Sequence, residues 1–236
     1  MADIALRGEL WDNDSADVLR WWGFRDIVAP MDIQAALEEA GGEDVTVLVN
    51  SPGGDMTVGG EIRSMLRRYR GKTTALFQGY GASAATLAVS GCTVIQSETG
   101  ALLCYHNPVA GAQGDYRDMS RSAQALKNAR DCILEMYQAR SGVRSREELT
   151  ELMDQNIWIT PTQAKEYGLI DEIVALDGAE EEADPAAYVA AAGSRYRLTA
   201  AMRQQYRDHM AAERIAEERK RRADCIRARL RVLNSY

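Results

Sequence analysis

The stretch Thr73–Ala88, TTALFQGYGASAATLA, places a strand-like run (73–78) in front of two glycines. A run of small residues follows, carrying one serine, Ser83. The segment 83–91, SAATLAVSG, reads as a helix stopped by Gly91. The unit is therefore strand, tight exit, helix. Upstream, DVTVLVN (44–50) alternates Val45, Val47 and Val49, a strand signature, and SPGGD is expected to turn. MTVGGEIRSMLRRYR then spaces Val58, Ile62, Met65 and Leu66 as one helical face. CTVIQ and ALLCYHN (101–107) read as further strands. Strands alternating with helices imply crossover connections and a buried parallel sheet, hence an α/β fold.

Beyond this unit, 116–140 is a long helix with a stripe of Met119, Ala123, Leu126, Ile133, Met136 and Tyr137. Ser145 and Glu148 form a capping box before LTELMD. Thr160, Pro161 and Gln163 open another helix, and Gly168 stops it before a last strand in LIDEIVAL. The segments divide into a body (1–176), an acidic, small-residue linker (177–194) and a basic helical tail (195–236). In the tail, Ile226, Leu230 and Leu233 make an apolar stripe too narrow for a core, so the tail should dock on something.

The 236 residues suit one α/β domain with an appendage, and 46% hydrophobic content supports a sizeable core. No apolar run reaches the ~18–20 residues of a membrane span. The opening MADIALRGELW lacks the pattern of a signal peptide. Four scattered cysteines without a CxxC pair read as reduced thiols of a cytoplasmic protein. Two histidines, His106 and His209, leave little for a metal site, and no Walker-type loop is present, so neither metal nor cofactor is expected. Net charge is −7 and unevenly spread. From Arg195 to Arg231 twelve Lys or Arg stand against five Asp or Glu, a net of +7, which leaves −14 for the remainder. Such a tail suits an electrostatic partner or a solvated helix. Its interspersed acids and the lack of a base-reading motif argue against nucleic acid.

Three readings of GYGASA stay open on local grounds. It fits a GxGxxG/A dinucleotide turn with Glu98 as the distant acid, although the spacing leaves little room for a full crossover helix. It fits close packing of a small-residue helix. It also fits a nucleophile, for which a serine needs a base and an oxyanion site. His106 is the only histidine of the body and sits at a strand end in CYHNP, where side chains emerge at a sheet's carboxyl edge. In NSPGGD (50–55), Pro52 fixes one φ, and Gly53 and Gly54 let backbone N–H groups face a substrate.

The ordered set NSPGG (50–54), GYGAS (79–83), YHNP (105–108), the long helix and AKEYGLIDEI (164–173) resembles the ClpP-type serine peptidases over roughly residues 3–176. RGELW, the compact body and the added tail look most like the phage and prophage head maturation (prohead) protease branch. The resemblance implies a ClpP/crotonase-like ββα spiral with a C-terminal helical extension. It implies Ser83 as nucleophile, His106 as general base, and the N–H groups of Gly54 and Ala84 as oxyanion hole, with Gly53 shaping the turn. It places AGAQGDYRD (110–118) where the family pairs with extended substrate. The third triad position falls on Asn156, where the family has a carboxylate, with Asp154 the fallback. An asparagine orients an imidazole through its amide oxygen but stabilises the imidazolium less.

The resemblance also implies a ring-shaped homo-oligomer in the bacterial host cytoplasm, or inside the phage prohead. Its substrates would be peptides and proteins, scaffold and capsid proteins among them. The competing readings are a general ClpP-type peptidase working with a separate unfoldase, a crotonase-like acyl-CoA enzyme on the same fold, and a weak or inactive assembly protein.

Overall fold

The computed structural model describes residues 2–175 and 198–233, with side chains through 222 in the last helix. The linker expected at 177–194 and the Ile226/Leu230/Leu233 stripe lie outside these residues and side chains.

The chain opens with β1 (Ala2–Leu10), α1 (Asn13–Trp21), β2 (Ile27–Val28) and α2 (Pro30–Glu39). The alternation that buries Ile4 and Leu6 in β1 is present in ADIALRGEL, although the sequence reading above assigns no strand there. The expected parallel layers follow: β3 (Val45–Gly54), α3 (Met56–Arg68), β4 (Thr73–Ala82), α4 (Ala84–Val89), β5 (Val94–Glu98) and β6 (Leu102–Cys104). Then come α5 (Tyr116–Ser141), α6 (Arg146–Gln155), β7 (Trp158–Ile159), α7 (Pro161–Glu166), β8 (Glu172–Val174) and α8 (Ala200–Leu233). The capping boxes at Ser145/Glu148 and Thr160/Gln163 form as the sequence predicts. The fold is the α/β architecture expected, a parallel sheet with helices packed on it.

The sheet runs β2-β1-β3-β4-β5-β8, and β6 pairs with β4 and antiparallel with β7. β4 divides its pairing. Thr74–Phe77 pair with β5, whereas Tyr80–Ala82 pair with β6. Two neighbouring strands are thus served by successive halves of one long strand. Val45, Val47, Val49, Ala75 and Phe77 point into the main core, against Ile62 and Leu66 of α3 and Leu87 of α4. All six residues of α4 are buried. A methyl group at Gly59 of α3 would lie 2.6 Å from the Ala84 carbonyl oxygen, so the small residues serve close helix packing. From α5, Ile133, Leu134 and Tyr137 are buried, whereas Met119 at the outer end of the expected stripe is exposed.

Two expectations need correction. SPGG is strand rather than free turn. Glu9 and Leu10 pair with Gly53 and Gly54 after a register shift at Gly8, and Pro52, which has no N–H to give, sits where the ladder is broken. The strand expected over 101–107 ends at Cys104, and His106 follows it.

Among the described residues the tail docks through its first turns. Leu198 and Met202 pack on a small cluster of Ala16, Leu19, Ile27 and Ala29. Trp21 meets Tyr206 and His209 ring to ring, at 6.0 and 5.1 Å. Arg203 donates to the Ser15 hydroxyl at 2.9 Å. Removing residues 198–236 should therefore cost about 1–3 kcal/mol by exposing this cluster. Thermal unfolding checks it: Tm should fall by several degrees with the transition still cooperative.

Candidate active site

The register of three strands creates the site. Ser51 of β3 lies opposite Gly81 of β4, and Ala82 lies opposite Cys104 of β6. One residue further along β4 stands Ser83, and two residues beyond β6 stands His106. Parallel strands end on the same side, so both side chains emerge at the carboxyl edge beside Gly53 and Gly54.

Ser83 is the N-cap of α4 and takes φ 56, ψ −128. Among the described residues only Ser83 and Asn156 are non-glycines with positive φ. Such a conformation costs on the order of 1–3 kcal/mol and persists only where its surroundings enforce it. The Ser83 N–H donates to the Cys104 carbonyl at 3.0 Å. Its own carbonyl accepts from the Thr86 N–H at 3.0 Å and from the Thr86 hydroxyl at 2.7 Å. That hydroxyl also meets the Tyr137 hydroxyl of α5 at 2.7 Å, in a setting where burial raises the Tyr137 pKa. The backbone of Ser83 is thus held from β6 on one side and from α4 and α5 on the other.

Gly53 takes φ +88 and Gly54 φ +146. A β-carbon on Gly53 would lie 2.7 Å from the Ser83 β-carbon and 2.8 Å from the Ala84 nitrogen. The glycine backbone therefore lies directly against the strained serine and the first N–H of α4. The buried Ser51 fixes this arrangement. Its hydroxyl donates to the Gly8 carbonyl at 2.6 Å and accepts the Gly53 N–H at 3.1 Å. The Ala84 N–H, in the first turn, has no partner within the helix.

The His106 Nδ1 lies 2.6 Å from the Asn107 carbonyl oxygen. A carbonyl only accepts, so Nδ1 carries the proton in this arrangement, and Nε2 of the neutral ring is left as the base. The Asn107 side-chain amide donates to Asp154 at 2.7 Å, and Arg130 stands 3.9 Å from the same carboxylate oxygen. Asp154 is thus tied to the residue that follows His106. Asn156 is the left-handed C-cap of α6, exposed, and lines neither of the cavities described next.

Two cavities meet at Ser83 and His106. One, about 340 Å³, is apolar, with Met56, Leu87, Leu126, Ile133 and Tyr137 in its walls, and it includes Ala84. The other, about 450 Å³, runs past Gly53, Gly54 and Trp158 to Glu9, Asp12 and Arg203. Burial pushes the Asp12 carboxyl up, but hydrogen bonds from Ser15 and the Arg203 cation outweigh it and leave its pKa below the ordinary value. Cys104 lines the same cleft, and burial pushes its thiol up to about 11, so it does not compete as a nucleophile at neutral pH. Arg203 was beyond sequence reasoning: the tail's positive charge was legible, but not which of its arginines reaches the cleft.

The structure thus brings Ser83, His106, Gly53, Gly54 and Ala84 together and leaves Asn156 apart. Among the described residues no three His, Cys, Asp or Glu side chains are grouped to hold a metal ion, and no helix is long and apolar enough to cross a membrane.

Comparison with known proteins shows which family the chain is similar to. The Clp protease family model matches residues 26–177. The ATP-dependent Clp protease proteolytic subunit of Mesostigma viride is 33% identical over 128 residues, covering 53% of this chain and 56% of the relative. That of Nephroselmis olivacea is 31% identical over 136 residues, 57% and 64% of the two chains. Proteolytic subunit 3 of Streptomyces avermitilis is 29% identical over 134 residues, 56% and 61%. The chain spans about three fifths of the length of the curated relatives it matches.

Gly53→Ala would drive a methyl group into the Ser83–Ala84 backbone from a disfavoured φ. It should lower labelling of Ser83 by a fluorophosphonate about 100-fold or more, the loss expected when an oxyanion site is displaced. Tm should fall by a few degrees. Mass spectrometry of the labelled serine together with thermal unfolding checks both.

Proposed function

The chain belongs to the Clp protease family, and from that premise we propose that it is a serine endopeptidase of the ClpP type. One observation carries the reading. A serine held at a positive φ, a histidine with its Nε2 available as a base, and a glycine-lined backbone share one cleft. In the reaction Ser83 Oγ attacks the substrate carbonyl carbon while His106 Nε2 takes the hydroxyl proton. The N–H groups of Gly54 and Ala84 receive the oxyanion, with Gly53 shaping the approach. The imidazolium returns the proton to the leaving amine, and water then releases the acyl group by the same route. The apolar cavity beside Ser83 suits an apolar side chain next to the scissile bond.

The orienting contact to His106 is assigned to the Asn107 carbonyl, with Asp154 anchoring Asn107 through its side chain. Asn156, the expected orienter, would act only if its exposed cap rearranged. Alanine at each position separates the two. Asp154→Ala should lower kcat by about 10-fold or more with little change in KM, and Asn156→Ala should leave kcat within about twofold. The reverse ranking would return the role to Asn156. Ser83→Ala should abolish cleavage of a fluorogenic peptide bearing an apolar residue before the scissile bond.

The finer reading is a cytoplasmic, ring-forming homo-oligomer that cleaves phage scaffold and capsid proteins during head maturation. It rests on the RGELW opening, the docked C-terminal helix and the absence of a Walker-type loop. A second reading, a peptidase fed by a separate unfoldase, is favoured by the names of the relatives, which are proteolytic subunits of ATP-dependent proteases. Cleavage of unfolded capsid protein by the chain alone supports the first. Degradation of folded protein only with an ATPase added supports the second.

A further inference from the structure

A separate cavity of about 280 Å³ lies between the last turns of α3 and α5 and the turn after α4, sharing no residue with the cleft. Arg63 and Arg67, one turn apart on α3, and Arg140, from the last turn of α5, all line it. No carboxylate among the described residues does so. From this convergence we propose that the cavity is a binding site for a phosphate-class oxyanion.

Each guanidinium is placed by a different contact. Arg63 Nε donates to the Ser90 hydroxyl at 3.0 Å, which leaves its two terminal nitrogens uncommitted by that bond. The Ser90 hydroxyl is itself tied down, donating to the Leu87 carbonyl at 2.6 Å. Arg140 pairs with Asp171 through one terminal nitrogen, and its side chain is only 16% exposed. Its Nε is buried without a hydrogen-bond partner, a state that costs free energy unless something accepts from it. Arg67 is exposed at the cavity's edge.

Charge favours the same occupant. Three guanidiniums against the one carboxylate of Asp171 leave a local surplus of two positive charges, on a body (1–176) whose net charge is −9. Burial, and then the neighbouring Arg67 cation, lowers the Arg63 pKa below its ordinary value. Basic side chains in a final helical turn offset the helix dipole, which accounts for Arg67 and Arg140 singly. It does not account for Arg63, a full turn earlier, nor for all three meeting in one concavity. A phosphate dianion neutralises two charges and matches the planar fork of a guanidinium with paired oxygens. A single carboxylate would leave one charge over.

The site also has a defined place in the fold. Ser83 caps one end of α4, and Ser90, the residue holding Arg63, caps the other.

Titration calorimetry of the full chain with inorganic phosphate, at constant ionic strength in chloride, tests the proposal. One saturable site per chain is expected, with Kd of about 1 mM or below. Arg63→Gln and Arg67→Gln should each weaken it about tenfold or more. Arg68→Gln, an exposed neighbour outside the cavity, should leave it unchanged. Pyrophosphate and ATP run in parallel identify the source: tighter binding than phosphate means the phosphoryl group of a larger ligand, and equal binding means the free ion. Heat that fails to saturate, or affinity unchanged in both Arg63→Gln and Arg67→Gln, overturns the site. Arg67 is exposed, so its variant tests the site even if Arg63→Gln fails to fold. Peptide cleavage plays no part in the readout, so the result is independent of the proposed peptidase activity.

Discussion

The hydrogen bond from the Ser83 N–H to the Cys104 carbonyl joins the two strand ends on which the site depends. It is the last rung between β4 and β6, made just past the point where Ala82 faces Cys104. The pairing exists because β4 is long enough to leave β5 at Phe77 and take up β6 at Tyr80. A shorter β4 would pair with only one of them. The histidine segment would then have no reason to lie beside the serine. Side-chain placement here follows from backbone register, which is set along the whole ladder and is costly to slip in a buried parallel sheet.

The same rung helps hold an unfavourable conformation. A serine at φ 56 reverts to an ordinary dihedral unless both of its peptide groups are occupied. Cys104 occupies one, and Thr86, backed by Tyr137 of α5, occupies the other. Gly53 closes the remaining side so tightly that no side chain fits. Strain, packing and hydrogen bonding thus meet at one residue. The long helix α5 shapes the site through Tyr137 as well as through the apolar cavity wall.

Local pattern was enough for much of this. Period-two valines in β3, the capping boxes of α6 and α7, and the small residues of α4 are decided by neighbours in sequence, and each was legible. The pairing of SPGG with β1 was not, because it depends on a register shift at Gly8, 43 residues from Ser51 in the chain. The contact of His106 with the Asn107 carbonyl was hidden for another reason: every residue has a carbonyl, so no residue type announces it. Asn156 reads as a triad member by its place in an alignment. Its left-handed C-cap geometry supplies a local reason for an asparagine there, since asparagine tolerates αL better than most residues. A motif position and a capping position coincide, and sequence alone cannot separate them.

Docking of the described part of the tail rests on residues that no apolar stripe in the sequence marks. Among the described residues the contact is made by Leu198, Met202, Tyr206 and His209, a mixed set at the start of the tail, because the surface they meet is itself mixed. Trp21 is partly exposed and offers a ring face and edge rather than a groove for aliphatic knobs. Arg203 follows from that docking. Once Met202 seats in the small cluster, the next residue reaches Ser15 and Asp12 at the mouth of the cleft. An element outside the matched family region thereby supplies a cation to a cleft whose serine and histidine lie within that region.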